Sequence, residues 1–205
     1  EGMTNKEALA ALRQEYQTAV KNADVITYDL GVNNFGVYTI NRIDSGIDNP
    51  DNPKYDADFS ELLEGEDYEK FMEMRTAVEK MLTKYVGESD PESAKFIQLL
   101  TDTFAYALIG YCVNFDKSME IIYELNPDAT VVVVSVQNLM KGMTAKIPGV
   151  EDEIPLGEIY GVLVEMANQY ASKFSPYAKN NCYAKAGNVS LFLEDILAYD
   201  GNPYS

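Results

Sequence analysis

The chain has 205 residues, 46% of them apolar, which is enough for a sizeable core in one domain without disulfide support. Thirty-three acidic residues against sixteen basic ones give a net charge of −17, which opposes nucleic-acid binding and adsorption to anionic membranes. The sequence holds no histidine, so these residues exclude zinc motifs built on imidazole and any serine or cysteine nucleophile relayed through it.

Residues 5–20 carry Leu9, Leu12, Tyr16 and Ala19 or Val20 at three- and four-residue spacing, which predicts a helix with one inward stripe. Residues 25–30 follow the turn residues Asn22 and Asp24, are rich in β-branched and aromatic side chains, and predict a strand ended by Gly31. Residues 44–58 set Ser45, Gly46, Asn49, Pro50, Asn52 and Pro53 among aspartates, a composition for turns. Phe71, Met74, Val78, Met81 and Tyr85 predict a second helix. After a break at residues 87–91, Phe96, Leu99 or Leu100, Thr103, Ala107 and Tyr111 predict a third. A shorter helix over residues 117–125 stops at Asn126 and Pro127.

Residues 130–136 are nearly continuous β-branched sequence and predict a strand buried on both faces. This is the longest strongly apolar run by that reading and is far too short to cross a bilayer, so no membrane insertion is expected. After a long connection, Ile159, Leu163, Met166 and Tyr170 predict a helix ending before Pro176. A strand over residues 182–186 and a helix over 191–197 complete the order. That order predicts one α/β domain over residues 1–205, a three-layer sandwich of helices on both faces of a short, mostly parallel sheet.

In such sheets ligands sit beyond the carboxyl ends of the strands. Asparagine follows each predicted strand: Asn33 and Asn34 after the first, Asn138 after the second, Asn188 after the third. Capping and tight turns account for most asparagines in such places. Asn33, beside Gly31, is the sharper candidate, because an amide N–H past a strand end can donate to a developing oxyanion.

The stretch ADVITYDLGVNNF, residues 23–35, resembles the third block of the SGNH hydrolases, the GDSL-type lipases and esterases, in which a hydrophobic strand runs into Gly-x-Asn-Asp. Asn33 falls on the asparagine of that block, and Asn34 replaces its aspartate. Gly2, ahead of Met3, Thr4 and a helix, is similar to the second block, whose glycine completes the oxyanion hole. The segment IIYELNPDATVVVVSVQN, residues 121–138, is also similar to that family. The resemblance implies a flavodoxin-like three-layer fold and an esterase acting on a small-molecule or acylated-carbohydrate ester, with Gly2 and Asn33 as oxyanion donors. It implies no cofactor and no metal.

The family's Gly-Asp-Ser block with the nucleophile has no counterpart here. Asp200 stands where the Asp-x-x-His block would fall, but Gly201, Asn202 and Pro203 follow it. The expectation is therefore an esterase-like domain, a truncated one, inactive as these 205 residues stand. The alternative is a noncatalytic carbohydrate- or protein-binding domain. A secreted or cell-surface location, bacterial in origin, is the expectation; the residues themselves leave a cytoplasmic one open, along with oligomeric state.

Other constellations read more plainly. Eleven acidic residues between Asp44 and Glu73 form a solvated face, with calcium held by Asp44, Asp48, Asp51, Asp56 or Asp58 as the lesser alternative. Tyr38, Tyr177, Tyr183, Tyr199 and Tyr204 are candidates for stacking on sugar rings. Ser135 lacks a nucleophile elbow and reads as structural. Cys112 reads as a small buried hydrophobe, and Cys182 as buried or bridged to it. No glycine-rich phosphate cradle is present, which argues against a nucleotide cofactor.

Overall fold

The computed structural model describes residues 5–29, 39, 65–86, 91–146 and 153–185. Its elements in chain order are α1 (Asn5–Lys21), β1 (Val25–Tyr28), α2 (Glu66–Val86), α3 (Pro91–Leu125), β2 (Thr130–Val134), α4 (Leu156–Gln169), a π-helical turn (Tyr170–Phe174) and β3 (Cys182–Ala184). The strands form one parallel sheet in the order β1-β2-β3, with Val25 opposite Thr130 and Val132 opposite Cys182. The protein is thus a mixed α/β chain built around a short three-stranded parallel sheet.

Parallel neighbours need a long return path, and here helices provide it: α2 and α3 lie between β1 and β2, and α4 between β2 and β3. Register puts Ile26, Tyr28, Val131, Val133 and Tyr183 on one face. Tyr28, Val131 and Val133 are buried there with Phe104, Phe115 and Met119 of α3 and Tyr160 and Leu163 of α4. The opposite face is less covered. Val25 is 60% exposed, and Val132 and Val134 are half-buried, so β2 is not sealed on both sides by the described residues.

Two expected helices are one. The α3 helix continues without interruption from Pro91 to Leu125, because nothing between Tyr111 and Lys117 breaks it, and the Asn126-Pro127 stop then acts as expected. Its stretch Ala94–Leu125 is long and apolar enough to cross a membrane by length and composition, which the strand-centred reading of hydropathy overlooked. Sixty-one per cent of that apolar window is buried inside the protein. Facing it, α2 buries Phe71, Val78 and Leu82, and the Arg75 Nε lies 2.6 Å from Asp102 Oδ1 across the helix pair.

No residue of α1 is buried. Leu9, Leu12 and Tyr16, the stripe expected to face inward, are 60%, 47% and 66% exposed, and only Val20 at its far end packs against the core. That end is tied down from a distance: the Asn126 amide donates to the carbonyls of Val20 and Ala23, both at 2.9 Å. The bond pair joins the turn before β1 to the turn before β2, fixing the amino edge of the sheet.

Candidate functional site

Of the residues singled out for chemistry, Gly2, Asn33 and Asp200 lie outside the described residues, as do the aspartates of residues 44–58 and Asn188. What is described is the frame. β1 runs parallel to β2 and ends at Tyr28, so the chain heading for Gly31, Val32 and Asn33 leaves from the carboxyl edge of the sheet.

The stretch after β2 is described in full. The Ser135 N–H donates to the Ala184 carbonyl at 3.0 Å, its side chain is buried, and its hydroxyl bonds the Tyr183 phenol, all of which fits a structural residue. Asn138 also serves the backbone. Its oxygen accepts from the Met140 N–H at 3.0 Å, and its amide donates to the Gly157 carbonyl at 2.9 Å. Asn168, which sequence reading did not single out, does the same for Val136, accepting from its N–H and donating to its carbonyl. Buried strand ends need such partners because their backbone groups have lost water.

A groove of about 670 Å³ opens elsewhere, on the flank of α3 turned away from the sheet. Helical spacing sends Phe104, Tyr111, Phe115 and Met119 toward the sheet and leaves Ile109, Cys112, Val113 and Asp116 on the groove side. Met74 and Ala77 of α2 form one wall; Met166, Tyr170, Phe174 and Tyr177 form the other. The second wall exists because α4 passes into a π-helical turn, where the Ser175 N–H reaches back five residues to the Tyr170 carbonyl at 2.8 Å. Such turns widen a helix locally and redirect its side chains.

Asp116 organises that wall. Its carboxylate accepts from the Tyr170 hydroxyl at 2.5 Å and from the Ser175 hydroxyl at 2.7 Å. Burial, and then the bond to Asp116, push the Tyr170 phenol above its ordinary range, so Tyr170 donates at neutral pH. Burial, with Asp116 one turn along the helix, pushes the Cys112 thiol up to about 12, which leaves it protonated and a poor nucleophile. Tyr177 is held by stacking on Tyr123, ring centroids 5.9 Å apart, while the Tyr123 hydroxyl donates to Asn181 Oδ1 at 2.6 Å.

The cysteines do not meet: both are free, Cys112 partly buried in the groove and Cys182 exposed at the start of β3. Cys182 is therefore neither buried nor bridged, because register turns it to the less covered face of the sheet. Of the proposed stacking tyrosines, Tyr177 lines the groove, Tyr183 lies on the core face of β3, and Tyr38, Tyr199 and Tyr204 lie outside the described residues. The groove itself was hidden from the sequence, since its walls are some thirty to seventy residues from its floor in the chain, as Tyr170 is from Asp116. Comparison with family models, with curated proteins and with solved structures gives no match for this chain.

Proposed function

We propose that the chain is the central part of an SGNH-type carboxylic ester hydrolase, acting on an ester of a small molecule or a carbohydrate. One observation carries this reading: three adjacent parallel strands in chain order, with β1 heading toward Gly31, Val32 and Asn33. A parallel sheet offers its ligand site beyond its carboxyl ends. Among the described residues one face of the sheet is less covered, which is compatible with a further layer there.

In this reading a serine attacks the ester carbonyl, a histidine takes the serine proton, and the Asn33 amide with the Gly2 N–H holds the tetrahedral oxyanion. The intermediate collapses to an acyl-enzyme as the histidine proton passes to the departing alcohol, and water then releases the acid by the same steps. Asp200 would orient the imidazole. The 205 residues hold no histidine and no Gly-Asp-Ser block, so this scheme requires both groups to be supplied from outside them. A second reading, a noncatalytic carbohydrate- or protein-binding domain, is favoured by the groove over α3, which stands apart from the strand ends.

Hydrolysis of p-nitrophenyl acetate separates the two. The 205-residue chain is expected to give no turnover above background, and the protein encoded by the whole source gene is expected to be active. Asn33→Ala in that protein should lower kcat by roughly 10²–10³-fold, as for loss of an oxyanion donor. Full activity in that variant, or an inactive whole protein, would overturn the hydrolase reading.

A further inference from the structure

We propose that the groove between α2, α3 and the π-helical turn binds a small organic cation with an apolar body, its ammonium group seated among Asp116, Glu120 and the rings of Tyr170, Phe174 and Tyr177. This site lies away from the strand ends and does not depend on the hydrolase reading.

Three features select that ligand. The first is size and lining: about 670 Å³, with Leu108, Ile109 and Val113 in the floor and Met74 and Met166 on opposite walls, within the range of small-molecule pockets and suited to an aliphatic body. The second is a set of aromatic rings at one end. Phe174 is 69% exposed although it is a large apolar side chain, Tyr177 is fixed against Tyr123, and Tyr170 is fixed to Asp116. Ring faces attract alkylammonium groups through their quadrupoles, and rings already held in place lose little freedom on binding.

The third feature is charge complementarity. Asp116 and Glu120 line the groove beside Tyr177, and their charges, with that of Glu124, add to burial in raising its phenol. The ion pairs among the described residues run from Lys70 to Glu66 and Asp67 and from Arg75 to Glu79 and Asp102, and none reaches those three carboxylates. Two cations also line the groove: Lys70, held by Glu66 and Asp67, and Lys117, one helical turn from Val113. The two hydroxyls on Asp116 orient its carboxylate without neutralising it. A net charge of −17 adds a long-range attraction for cations and repels carboxylates of similar size.

The test is isothermal titration of the 205-residue chain with hexyltrimethylammonium, hexanoate and hexan-1-ol, probes of matched length that differ in charge. Saturable one-to-one binding is expected for the cation, weaker binding for the alcohol and none for hexanoate. Phe174→Ala and Glu120→Gln, both at exposed positions and checked for folding by circular dichroism, should each weaken the cation about five- to tenfold. Glu15→Gln on α1, which removes the same charge elsewhere, should leave it unchanged. Equal binding of the three probes, adsorption that never saturates, no binding of the cation, or equal effects of Glu15→Gln and Glu120→Gln would each overturn the assignment.

Discussion

Asn168 holds Val136 by both of its backbone groups: the side-chain oxygen accepts from the Val136 N–H at 2.7 Å, and the amide donates to the Val136 carbonyl at 3.0 Å. Val136 is buried two residues beyond the end of β2, where the ladder no longer supplies partners. Asn168→Ala leaves both groups buried without that partner. It should destabilise the protein by about 1–3 kcal/mol, read as a lower urea midpoint at an unchanged denaturant slope.

Two helical glycines should respond to alanine with opposite signs. A Cβ at Gly157 would meet the Met140 carbonyl oxygen and would lie 2.7 Å from the Gly142 nitrogen, both main-chain atoms in a turn locked by the Gly157 N–H bond to Met143. Gly142 has φ +80°, so that turn has few ways to yield. Gly157→Ala should cost about 3 kcal/mol. Gly110, inside α3, has open space where a Cβ would go, so Gly110→Ala should stabilise by about 0.5–1 kcal/mol. Thermal melts of the two variants beside the parent check both signs.

Alkaline pH should weaken the fold early because of Cys112. Its thiol is raised from 9.0 to about 12 by burial and by Asp116, so the unfolded chain ionises first. The contribution is whole below pH 9 and is lost as pH rises toward 12. Tyr111, Tyr160 and Tyr170, raised above 10.0 chiefly by burial, extend the loss from pH 10 upward. Urea midpoints at pH 8, 9 and 10 should fall with pH, and Cys112→Ala should flatten the step between 9 and 10. A fall of equal size in that variant would contradict the assignment.

Much of the secondary structure can be read in the residues. The stripe of α1, the β-branched run of β2 and the Asn126-Pro127 stop each state a local preference, and each element forms where that preference lies. The failures are equally local in origin. The expected break between residues 111 and 117 does not exist: the buried stripe runs on through Tyr111, Phe115 and Met119, and nothing there interrupts backbone hydrogen bonding. Periodicity gave Leu9, Leu12 and Tyr16 an inward face, although a stripe only says which side of a helix seeks cover, not that cover is present.

The sequence by itself determined most of the described elements, their order and the parallel sense of the sheet, because helix and strand formation respond to neighbours within a few residues and parallel strands require a long return path. Only the tertiary structure decided that Asn126 would tie α1 to the sheet edge across about a hundred residues, that Asn168 would hold Val136, and that Asp116 would gather Tyr170 and Ser175 into one wall. Those pairings depend on how already formed helices dock on the sheet, and docking is set by burial of whole faces rather than by any short run of residues.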